Sequence, residues 1–175
     1  IGANAGTSGI GRSRELFGLE AVVPEGKITE GLGSLMTEAK RVQQFGFSAD
    51  ELNRAKAQLL AGYERAYKER ETSESASYAN EYVRHFLQKE PIPGMEFEYK
   101  IAATYLPTIT NDEISALAKE LITEENRVVL GVAPEKKDTP PPTADTMRAA
   151  INRAAAAPVE RWAEATAGPE LVEKP

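Results

Sequence analysis

The single histidine of the chain, His85, stands in Arg84-His85-Phe86 and is its one side chain built for proton transfer near neutral pH. A zinc site of the H-E-x-x-H or inverted H-x-x-E-H kind needs two histidines on one helix face with a glutamate as base. It is impossible here. A Ser-His-Asp triad would have to use His85, and no strained Gly-x-Ser-x-Gly turn offers the serine. Cysteine is absent, which removes thiolate zinc sites, cysteine nucleophiles and disulfide scaffolds. It also removes any inference of compartment from redox chemistry. His85 lies one residue before an apolar stripe position and is expected to be structural or solvent-facing. Gly6, Gly9 and Gly11 imitate a phosphate loop, but they precede a strand and no Gly-Lys-Ser/Thr follows them. Glu69, Glu71 and Glu74 alternate with Lys68 and Arg70, the pattern of a solvated face. No acid/base pair emerges.

What remains is aromatic. Tyr63, Tyr67, Tyr78, Tyr82 and Phe86 recur at helical spacing, and a core stripe is a simpler account of them than a peptide-binding wall. Tyr67 and Tyr99 lie off the main stripe and are the better candidates for a chamber or partner surface.

These residues need helices to hold them. Thr29 offers a cap for a helix with Leu32, Leu35, Met36, Ala39 and Val42 inward and Gly46 as its stop; Gly31 and Gly33 weaken its first turn. Ser48 with Glu51 forms a capping box, with Phe47 and Leu52 as a hydrophobic staple, opening a long helix striped by Leu52, Ala55, Leu59, Tyr63 and Ala66. A second stripe comes at Tyr78, Tyr82 and Phe86, and periodicity leaves open whether 68–77 breaks the helix. Pro91 and Pro93 end the run. A shorter helix is expected from Met95 to Tyr105, burying Phe97, Ile101 and Tyr105. Thr110 and Glu113 box a last one with Ile114, Leu117, Ala118 and Leu121 inward. Leu16 to Val23 and Arg127 to Val132 read as strands. Residues 1–14 read as a flexible end, and 134–175 as a Pro/Ala-rich connector in which Ala144 to Ala157 can be helical and Trp162 pins the chain to a body.

The fold class is therefore α+β, helices on a small antiparallel or mixed sheet. Two short strands make a poor sheet, so partner strands are expected either upstream of Ile1 or from another copy across an exposed sheet edge. Opening without Met on a Gly-rich run and ending among prolines, the sequence has the look of a chain cut at both ends. With 21 Lys+Arg against 27 Asp+Glu the net charge is −6, so nucleic acid and anionic membrane surfaces are not expected partners. No run approaches the ~18 apolar residues of a membrane span. Hydrophobic residues make up 41% of the 175, enough for a core.

The chain resembles the insulinase/pitrilysin group of zinc metallopeptidases, in their inactive (C-terminal) domain of the N-terminal half, truncated at its start. The residues that carry the resemblance are Phe17-Gly18-Leu19-Glu20-Ala21, Gly33-Ser34-Leu35-Met36-Thr37-Glu38, Phe45 through Lys56 with its Gly, cap and Glu-Leu-x-x-Ala-Lys, and Tyr105-Leu106-Pro107-Thr108-Ile109-Thr110. It covers 15–133, a domain of the LuxS/MPP-like kind, and likens 134–175 to the linker between two halves. The resemblance implies a two-halved chamber in which zinc, held elsewhere in the parent polypeptide, hydrolyses peptides, with none held by this segment. Its partners would be the zinc-bearing domain of the same polypeptide and a peptide substrate, and its place the periplasm. The implied role of this segment is chamber wall. Alternatives are a catalytically dead scaffold, like the core subunits of the respiratory bc1 complex, or a helical partner-binding module.

Overall fold

The computed structural model describes residues 2–10 and 13–162. The chain runs β1 (Gly2–Ile10), β2 (Arg14–Val22), α1 (Ile28–Phe45), α2 (Ala49–Lys68), α3 (Ser75–Gln88), α4 (Met95–Tyr105), α5 (Asn111–Leu121) and α6 (Ala144–Ala156). Helices dominate, and the sheet among the described residues is one antiparallel pair, the α+β class expected.

The Gly-rich start differs from expectation. It is strand β1, paired with β2 in unbroken register from Gly2 opposite Val22 to Ile10 opposite Arg14. Gly, Ser and Asn are weak strand formers, and all of β1 is exposed, so no apolar alternation betrayed it. Gly6 and Gly9 are ladder residues; Gly11 lies outside the described residues.

Helix α1 begins with Lys27, not Thr29, at its cap and without a side-chain cap bond. Gly31 has a packing reason: a Cβ there would collide with the Val23 side chain, so its absence lets α1 close on the exit of β2. Gly46 ends α1 at φ 68°, where an added Cβ would strike the Ser115 side chain. Ser115 Oγ accepts a bond from Phe47 N at 3.2 Å, and Asn111 Nδ2 donates to Phe47 O at 2.7 Å. The α1–α2 corner is thereby tied to the start of α5.

Both capping boxes are present. Glu51 N donates to Ser48 Oγ at 3.1 Å while Ser48 N donates to Glu51 Oε2 at 2.7 Å; Thr110 and Glu113 repeat the exchange at 3.3 and 2.7 Å. The polar stretch is a true break: α2 stops at Lys68, a 3-10 turn covers Arg70–Thr72, and α3 starts at Ser75. Helix α4 keeps its expected bounds.

Packing is thin. Among the described residues the buried apolar ones are Ala39, Ala102, Ala118, Ile122, Ala150 and Ala154, so helices meet through alanines. The inward stripes expected on α3 and α4 are corrected: Tyr82, Phe86, Phe97 and Tyr105 are each more than half exposed. Periodicity identified the apolar faces but not whether a neighbour covers them. The chain exposes 14116 Å², where a compact monomer of its mass exposes about 8,400 Å².

One further segment differs from expectation. Residues 127–132 run without a ladder, because no strand of the described chain lies alongside. The Ala-rich part of the connector is helical, as expected: α6 packs on α1, burying Ala150 and Ala154. Lys40 Nζ donates to Ala155 O and Ala157 O at 2.6 Å each, and Arg41 Nε to Glu160 O at 2.9 Å. Trp162 does meet the body: the Arg41 guanidinium lies 5.7 Å from its ring centroid.

Gly46→Ala is expected to lower stability by about 1–3 kcal/mol in urea unfolding, through left-handed backbone and the Ser115 collision. An unchanged midpoint would contradict that account of the corner. The Thr110 N–H and hydroxyl hold the Glu113 carboxyl below its usual 4.5. A lowered carboxyl pKa contributes stability above the usual value, lost as pH falls through the folded one. Thr110→Ala, which removes the hydroxyl and keeps the N–H, is therefore expected to move the Glu113 titration, followed by NMR, part of the way toward 4.5 and to reduce this acid-sensitive contribution.

Candidate functional site

Tyr67 leaves the last turn of α2 and Tyr99 the first half of α4, and the pairing of those helices brings them together. Their rings stack with centroids 5.3 Å apart and planes 12° from parallel, each half-buried. An offset parallel pair is a favoured aromatic geometry. Arg70, in the turn after α2, covers the stack: its guanidinium lies 4.5 Å from the Tyr67 centroid, and Nη1 donates to Tyr67 O at 2.8 Å. Nothing in the sequence marked Arg70, since it read as one charge among many. The i+3 spacing from Tyr67 was the available signal.

Lys68 pairs with Glu64 at 2.5 Å, and its ammonium holds its proton more tightly than usual, chiefly through that hydrogen bond and slightly through Tyr99. Tyr78 at the start of α3 donates its hydroxyl to Arg70 O at 3.1 Å. Beyond it α3 has every residue exposed except Glu81, which is half-buried. Ser73, Ser75, Tyr78, Ala79 and Tyr82 line a shallow depression of about 480 Å³. The two tyrosines singled out as surface candidates are thus joined in one cluster, and Tyr63 is also half-buried.

His85 sits away from chemistry. Its Nδ1 lies 2.6 Å from Glu90 O, and Arg84 Nε donates to Glu90 Oε2 at 2.8 Å, so the pair fastens the turn after α3. Among the described residues no three His, Asp or Glu side chains come together to hold a metal. The donor set of the chain, one histidine and no cysteine, does not fit a zinc centre. Aromatic faces, a guanidinium and exposed apolar side chains can stack on and cover another polypeptide.

Fold and site thus define a helical α+β unit with a stacked tyrosine pair and exposed apolar side chains on its surface. Similarity to known proteins adds the setting. A protein of Arabidopsis thaliana described as zinc protease PQQL-like is 33% identical over 140 residues, which is 77% of this chain and 14% of that protein. The chain therefore spans a small part of its relative's length and is similar to part of a zinc protease. No protein-family model matches, and no solved structure matches significantly.

A double-mutant cycle on Tyr67→Ala and Tyr99→Ala is expected to give a coupling of about 0.5–1.5 kcal/mol in unfolding experiments. Additive effects would mean that the stacked pair does not hold α2 to α4.

Proposed function

We propose that this chain is a non-catalytic structural part of a zinc-dependent metalloendopeptidase of the insulinase/pitrilysin kind, corresponding to the inactive domain of its N-terminal half. The carrying observation is the combination of 33% identity to part of a zinc protease with a donor set that does not fit zinc. A segment lacking the ligands contributes by shaping and supporting the chamber in which peptide is held, while the zinc-bearing domain of the same polypeptide supplies Lewis-acid hydrolysis. On this reading Tyr67, Tyr99 and Arg70 face either the chamber or an adjoining domain.

The exposure of Tyr82 at 58% and Phe86 at 81% favours a second reading, a helical module that binds a partner through α3. Under that reading the larger protein need not contain zinc.

Elemental analysis and a peptide-cleavage assay separate the two. The parent polypeptide is expected to carry stoichiometric zinc and to cleave peptides, whereas the 175-residue chain does neither. Zinc and cleavage in the isolated chain would overturn the proposal, and their absence from the parent would leave the scaffold or partner-binding reading.

A further inference from the structure

Helix α3 turns its apolar side outward. Tyr78, Tyr82 and Phe86 follow one another at four-residue steps, with Ala79, Val83 and Leu87 beside them, and all six are exposed. The one half-buried residue of α3 is Glu81, which stands about 150° around the helix from the middle of that apolar side. Among the described residues no helix lies along α3 as α4 lies along α2. It is fastened at its ends, by the Tyr78 hydroxyl donating to Arg70 O at 3.1 Å and by Arg84 Nε donating to Glu90 Oε2 at 2.8 Å. A helix that sets a glutamate toward its own body and aromatic rings toward the outside is built for an interface.

The outward side matches itself. Tyr78 and Phe86 lie about one helical turn to either side of Tyr82, so a twofold axis passing by Tyr82 sets two copies of α3 antiparallel. Each Tyr78 then stands beside the Phe86 of the other copy, and the two Tyr82 rings meet on the axis. The smaller Ala79 and Val83 leave grooves beside the stripe for the facing rings to enter. The ends match as well: Glu74 caps the start of α3 and Lys89 its finish, so antiparallel copies bring each Glu74 to the Lys89 of the other, with helix dipoles opposed. Tyr78, Tyr82, Val83, Phe86 and Leu87 expose on the order of 600 Å² per copy. A pair therefore covers about 1,200 Å², which reaches the size of a specific interface.

We propose that α3 is a homodimer interface, in which two copies of this protein pair antiparallel about a twofold axis at Tyr82. The proposal takes up the α3 surface of the second reading above and names its partner, and it stands with or without zinc in the parent. A neighbouring domain of the same polypeptide is the rival occupant, and the test separates the two.

Sedimentation equilibrium of the 175-residue chain and of the parent polypeptide provides that test. Both are expected to be dimers at micromolar concentration, the chain at twice its 19.0 kDa. Phe86→Glu is expected to raise the dimer Kd at least about 30-fold with the helical circular dichroism unchanged. Val128→Glu, at an exposed residue in the segment after α5, leaves the Kd as it was. In a chain without cysteine, Tyr82→Cys is expected to form a disulfide between the two copies on mild oxidation, whereas Gln88→Cys, on the far side of the helix, is not. A monomeric chain overturns the proposal, as does a dimer that Phe86→Glu leaves intact or that Val128→Glu abolishes. A parent that stays monomeric while the chain pairs overturns it in favour of a neighbouring domain on α3. A dimeric parent that holds no zinc keeps the pairing and defeats the peptidase reading.

Discussion

Helix α1 is the element on which the rest leans. β2, α5 and α6 each pack against it, and residue 131 meets its first turn. Such closeness is permitted by missing atoms: Gly31 admits Val23, and Ala39 is buried among its neighbours. Alanine contacts bring backbones near but bury little apolar area each, so each helix-to-helix contact is worth little by hydrophobic burial. The architecture therefore depends on local devices, two capping boxes and the Ser115–Phe47–Asn111 tie, to fix angles that a larger core would otherwise fix.

Local signals were legible in the sequence and tertiary ones were not. Ser48 with Glu51 and Thr110 with Glu113 mark helix starts because a cap is a contact between neighbours in the chain. Pro107 and Gly46 mark ends for the same reason. The stripe at Tyr78, Tyr82 and Phe86 was read correctly as amphipathic and wrongly as buried, since periodicity reports a face and not its cover. β1 escaped notice because its ladder with β2 is made by backbone groups that every residue possesses. Tyr67 and Tyr99 were picked out as surface aromatics, but their stacking depends on how α2 crosses α4, which no spacing within either helix encodes.

The surface left bare on the described helices bears on the proposed role. A chain that exposes 14116 Å², with aromatic residues outward on α3 and α4, has apolar surface to share with something else. Its only histidine is engaged with the turn at Glu90. The chain is similar to part of a zinc protease, and on the reading proposed above a wall segment would find its neighbours in the rest of that polypeptide.

The seating of α6 on α1 has a mechanical consequence. Lys40 grips the carbonyls of Ala155 and Ala157, and Arg41 that of Glu160. A pull on the chain beyond Trp162 is thus passed directly to α1 as a stiff lever would pass it, and is not absorbed at Pro140-Pro141-Pro142. Any swing of α6 away from α1 must first break that clamp.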